Sequence, residues 1–115
     1  MQMSKELEQQ VAEFQNLQNQ LQIILTQKQQ VKLQLDEIGV ALDELQKASG
    51  AIFKVAGSLL LASNKDDAQK DLDERKETLT VRTTVLTKQE EKLRNKLIEL
   101  RDKIQKATGG VEGAG

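Results

Sequence analysis

Histidine, cysteine, proline, tryptophan and tyrosine are all missing from these 115 residues, and the only aromatic side chains are Phe14 and Phe53. Each absence excludes something. Without histidine or cysteine there is no imidazole base, no thiol nucleophile and no soft or nitrogen ligand for zinc, copper or iron. Without cysteine there is no disulfide, which fits a reducing compartment. Glycines are few and none is followed by lysine, so no phosphate-binding loop is present, and Gly50 with Gly57 does not form a dinucleotide fingerprint. An enzyme is therefore not expected, and neither is any cofactor. Charge of one sign is lacking too: 17 basic and 18 acidic residues leave a formal net charge of −1, too little to attract nucleic acid or an anionic membrane. The longest uncharged apolar stretch, Val55 to Ser63, is nine residues, against the roughly 20 of a spanning helix. The first ten residues are polar and do not read as a signal peptide. The expected location is the cytoplasm.

What is present is helix former. Ala, Glu, Lys, Leu and Arg supply 54 residues and Gln another 15, the composition of a coiled coil. From Lys5 to Lys47 one heptad register holds, with Leu7, Phe14, Leu21, Leu35 and Leu42 at a and Leu17, Ile24, Val31, Ile38 and Leu45 at d. Gln10 and Lys28 alone break it. Such a repeat winds a helix around a partner in a left-handed supercoil. The helix would be on the order of 60 Å long. Ser4 is the expected N-cap, and ten glutamines between Gln9 and Gln34 give an outer face that is amide-rich and weakly charged.

Ser49 and Gly50 stop that helix. Two short apolar runs follow, Ala51–Val55 and Ser58–Ser63, around a turn placed at Ala56-Gly57, which reads as a β-hairpin over 51–63. Leu59, Leu60 and Leu61 are consecutive, so they point to both faces of a strand, and both faces need cover. An isolated hairpin is marginal in water. Strands from other chains are the expected completion. Asn64 is the expected N-cap of a second helix over 65–107, with leucines at 72, 79, 86, 93 and 100. The positions four residues after each of these are Lys76, Thr83, Glu90, Leu97 and Ile104, so this seam is half polar at first and apolar at its end. Glu99–Lys103 and Asp102–Lys106 are spaced as helical ion pairs. Gly109 and Gly110 terminate the helix, and 109–115 reads as a flexible tail.

The fold class is therefore mainly α: a long antiparallel helical coiled-coil hairpin, one domain over 1–108, with one β-hairpin between the helices that joins an oligomeric platform. Both ends of the chain then meet at the tip far from the hairpin, where Met1, Met3, Val11, Phe14, Leu97, Ile98, Leu100 and Ile104 exceed what one seam uses. Frayed there, they would form a soft, adaptable apolar surface. Other readings fail on the residues. The acidic stretch Asp66–Glu77 lacks the glycine and late glutamate of a calcium loop. The basic stretch Lys88–Lys106 is interleaved with Glu90, Glu91, Glu99 and Asp102 and has no aromatic residue for base stacking. The leucine repeat has an apolar hairpin upstream where a transcription factor needs a basic region. A Gln-rich polar face does not suit a membrane surface.

Ile52-Phe53-Lys54, Gly57 and Leu59-Leu60-Leu61 between two long helices resemble the β-class subunits of prefoldin, the archaeal form above all. The hairpin follows the family's aromatic-Lys-x-x-Gly-x-x-aliphatic pattern at Phe53, Lys54, Gly57 and Leu60, and Asp71–Leu79 looks like the family's opening of the second helix. The likeness covers nearly the whole chain and departs in a short tail and a less polar hairpin. It implies a hexamer of two α-class and four β-class subunits whose hairpins join into β-barrels. It further implies capture of non-native proteins at the coiled-coil tips without ATP and their transfer to a group II chaperonin. By position the tip residues would be Met3, Leu7, Val11, Leu97, Ile98 and Ile104, and the platform residues Ile52, Phe53, Val55, Leu59, Leu60 and Leu61. The competing reading is a structural adaptor or tether whose heptads bind one folded helical partner.

Overall fold

The computed structural model describes residues 4–109. Helix α1 spans Lys5–Lys47, strand β1 Ile52–Ala56, strand β2 Leu59–Ser63 and helix α2 Lys65–Ala107. The chain divides into two compact units. In the first, the start of α1 through Lys28 packs with α2 from Val85 onward. The second comprises residues 29–84, the remainder of both helices and the hairpin.

Both helix starts are made by the expected caps. The Leu7 amide donates to Ser4 Oγ at 3.1 Å, and the Asp67 amide donates to Asn64 Oδ1 at 2.8 Å. Asn64 Nδ2 also donates to the Asp67 carboxylate at 2.8 Å, so cap and third helical residue hold each other. These bonds satisfy amides that a helix leaves unpaired. Gly109, at φ +84°, closes α2 in the left-handed conformation favoured after a helix end.

Within the first unit the helices run antiparallel, since Gln20 to Ile24 share a groove with Gln89 to Lys96 while Leu7 and Gln10 share one with Lys103 and Lys106. Its seam buries Leu7 and Leu17 of α1 and Leu86 and Leu100 of α2. Within the second unit Gln34 to Ile38 meet Asp71 to Leu79, again antiparallel, and Val31, Ile38 and Leu45 are buried. Every a and d position of the α1 register is buried or half-buried, Gln10 and Lys28 included. No side chain among the described residues is fully enclosed, because two helices can cover only the inner stripe of each other. The end of α1 is tied to the start of α2 by Gln46 Nε2 donating to Gln69 Oε1 at 3.1 Å and Lys65 Nζ donating to the Gln46 carbonyl at 3.0 Å.

The strands pair antiparallel with Phe53 opposite Ala62, Val55 opposite Leu60 and Ala56 opposite Leu59. The turn is Gly57-Ser58, one residue later than the sequence placed it. The reason is conformational. Gly57 has φ +61° and Ser58 is not in the positive-φ region, the pattern of a type II′ turn, whose first central position requires positive φ. Alanine at position 56 cannot supply that; Gly57 can. Nothing lies within 4 Å of a Cβ added at Gly57, so Gly57→Ala tests backbone strain alone. The expected loss is about 1–2 kcal/mol, read as a lowered urea midpoint, with Ser58→Ala unchanged within about 0.5 kcal/mol.

Candidate functional site

The hairpin is the first candidate surface. Strand alternation and the register place Phe53, Val55, Leu60 and Ala62 on one face, and Ile52, Lys54, Ala56, Leu59, Leu61 and Ser63 on the other. Val55 is 68% and Leu60 70% exposed, and Phe53, Leu59 and Leu61 are exposed as well. Ile52 alone of the six platform residues is half-buried. On the second face Lys54 Nζ lies 3.8 Å from Asp71 Oδ2, which also meets Arg75 at 3.3 Å. Within its own unit the hairpin meets α2 along a groove where Phe53, Lys54 and Val55 adjoin Ala68, Asp71 and Leu72, which leaves most of its apolar surface exposed, and contiguous exposed apolar area of this kind marks an interaction site.

The second candidate surface is the apolar group at the far residues of the first unit. Leu7 is buried in the seam, in a groove of about 390 Å³ lined by Ser4, Glu6, Gln10, Lys103 and Lys106. Val11, Leu97 and Ile104 are half-buried, and Ile98 is 48% exposed. Met3 lies outside the described residues, as does the tail from Gly110 on. Of the described residues in this group, then, Ile98 is the one presented to solvent.

One polar pair is formed that spacing within either helix does not reveal. Lys28, the break in the α1 seam, donates from Nζ to Glu90 Oε1 at 2.7 Å, and Arg94 Nε donates to Glu90 Oε2 at 2.8 Å. The two apparent defects of the separate seams thus meet each other across the unit. The expected Glu99–Lys103 and Asp102–Lys106 pairs are not formed among the described residues; Asp102 instead meets its neighbour Arg101 at 3.5 Å. The hydrogen bond from Lys28, then that from Arg94, holds the Glu90 carboxyl below the usual carboxylate range. A depressed folded value means that the stabilisation is present above the unfolded-state value, about pH 4.3, and is lost as pH falls through the folded one. Glu90→Gln is therefore expected to lower the melting temperature at neutral pH, and the gap from the parent protein closes as the buffer is acidified. Melting followed by circular dichroism across pH checks this; a gap independent of pH would show that the carboxylate is not what matters.

Among the described residues no cluster of carboxylates is placed to hold a metal ion, and no helix is long and apolar enough to cross a membrane. Residues 8–110 match the family model described as Prefoldin subunit. The chain belongs to the prefoldin subunit family. That family is one of chaperones, so the two long helices and the intervening hairpin are those of a prefoldin subunit. The chain is similar to the crystal structure of the prefoldin beta subunit from Thermococcus strain KS-1, with 37% sequence identity and a TM-score of 0.84 over 92% of this chain and 95% of that one. Among curated proteins none matches.

Proposed function

We propose that this prefoldin subunit is a β-class component of a holdase. It captures non-native proteins at its coiled-coil tips without ATP and passes them to a group II chaperonin in the cytoplasm. In this reading the hairpins assemble four copies of the chain with two α-class subunits, through Ile52, Phe53, Val55, Leu59, Leu60 and Leu61. The observation that supports it most directly is the hairpin with apolar side chains exposed on both faces, within a chain of this family. The client surface is Met3, Leu7, Val11, Leu97, Ile98 and Ile104. Many weak contacts at several tips add by multivalency, and each can release unaided.

The test is suppression of aggregation when a chemically unfolded reporter protein is diluted into buffer with the assembled subunits and no nucleotide. Deleting residues 1–11 and 97–115 is expected to abolish suppression while the assembly keeps its mass by light scattering. Because that deletion also removes the seam residues Leu7 and Leu100, Ile98→Ser is a second arm: an exposed change that leaves the helices intact and is expected to weaken suppression. Full suppression by both variants overturns the tip assignment. Tight one-to-one binding of a folded helical protein, with no preference for unfolded chains, would establish the adaptor instead.

A further inference from the structure

Three cations of the first unit meet carboxylates, Lys28, Arg94 and Arg101, and the lysines among its described residues otherwise do not. Lys28 and Arg94 share the Glu90 carboxylate. Lys92 and Lys96, one helical turn apart on α2, have no carboxylate partner among the described residues. Like charges at that spacing repel, so no ion pair within the described residues accounts for their placement. They stand beside an open groove of about 330 Å³ whose lining is Ile23, Ile24 and Leu93, the amides of Gln20 and Gln89, and the two lysines, with no acidic residue. Ile23 sits outside the heptad seam and is 57% exposed, where a helix would be served as well by glutamine. Here it adjoins Ile24 and Leu93, so apolar floor and unpaired positive charge occur together.

We propose that this groove is an interaction surface for a protein segment that presents apolar side chains flanked by carboxylates, an acidic amphipathic helix. Apolar residues spaced three and four apart would lie on Ile23, Ile24 and Leu93. Their flanking carboxylates would meet Lys92 and Lys96, and Gln20 and Gln89 can bond to polar groups at the rim. Basic amphipathic segments are turned away by the same lysines. Lys96 directly precedes the tip residues Leu97 and Ile98, but no residue that lines the groove is itself one of the tip residues, so the proposal does not depend on capture at the tips.

The probe is a fluorescein-labelled amphipathic peptide with leucines on one face and glutamates flanking them. Its first twin carries lysine in place of each glutamate, and its second serine in place of each leucine. Anisotropy with the full chain at low salt is expected to show the acidic peptide bound roughly tenfold more tightly than its lysine twin, the difference shrinking as salt is added. Lys92→Glu with Lys96→Glu is expected to reverse the preference, and Ile23→Ser to weaken both the acidic and the basic peptide severalfold. All three are changes of exposed residues, and circular dichroism confirms that the helices persist. Equal binding of the twins overturns the proposal, as does an acidic preference that survives the double charge reversal. So does a salt-dependent change of oligomeric mass in that variant, which would make a second copy of this chain the occupant. If tip deletion leaves aggregation suppression intact while the peptide preference persists, the tip assignment fails and the groove stands.

Discussion

A variant carrying Val55→Asp and Leu60→Asp is expected to keep its helices and to lose assembly entirely. The two residues face each other across the strands on one face of the hairpin, and both are more than two-thirds exposed in the isolated chain. The substitutions therefore remove little packing from the chain itself, and the α-helical signal and melting of the free subunit should hardly change. In an interface the same carboxylates would be taken out of water, and the cations nearest Val55, which are Lys54 and Arg75, are already engaged with Asp71. The hairpin's one basic residue, Lys54, lies on the opposite face and already approaches Asp71. Several kcal/mol for each stranded charge is the usual order, which is more than a thousandfold in dissociation constant for the pair. Light scattering after mixing with an α-class prefoldin subunit reads the outcome. A mass unchanged from the parent complex would show that this face of the hairpin is not buried on assembly, and the platform would have to be built on the face of Leu59 and Leu61.

Much of this architecture can be read from the residues because its signals are local or strictly periodic. The α1 seam repeats strictly, so the twelve positions named from the heptad are all covered in the structure, joined by half-buried flanking residues such as Val11 and Leu25. Ser4 and Asn64 act as caps through bonds to residues three places on, a range that sequence reading handles well. Gly57 is legible as a turn residue, but which side of it the turn extends depends on φ, and the positive φ at Gly57 sets the turn one position later. The Lys28–Glu90 contact spans 62 residues. Each partner looked like a flaw in its own helix, and only the offset between the two helices makes them a pair. Leu7 appears by spacing both as a seam residue and as part of the tip, and in the structure it lies buried between the helices. The groove beside Ile23 was invisible for a different reason: a heptad assigns residues to inside or outside, and a groove is made by residues of two helices at the boundary.

Leu86→Ala is expected to be the most damaging single truncation in α2. Leu86 is 3% exposed, the most deeply covered described side chain of that helix, while its neighbour Val85 is 48% exposed. The surrounding residues Thr83, Thr84, Val85 and Thr87 are all β-branched, and branched side chains lose rotamer freedom in a helix. Thr83 and Thr84 also turn their hydroxyls back to the carbonyls four residues earlier, at 3.0 and 3.3 Å, bonds that add little and tend to bend a helix. Helical preference is therefore low here, and packing along the seam must hold the segment in place. Removing the leucine side chain deletes that packing and leaves a gap that two helices can close only in part. The expected loss is about 2–5 kcal/mol, a large share of the about 5–15 kcal/mol typical of a small protein. Val85→Ala removes a half-exposed branched side chain and adds the best helix former, so it is expected to change stability by less than about 0.5 kcal/mol. Urea unfolding of the two variants side by side gives the comparison, and amide hydrogen exchange over residues 83–88 should quicken in the first and not in the second. Equal midpoints for the two would mean that α2 holds its conformation there without its partner helix, and the seam would no longer account for the stability of this unit.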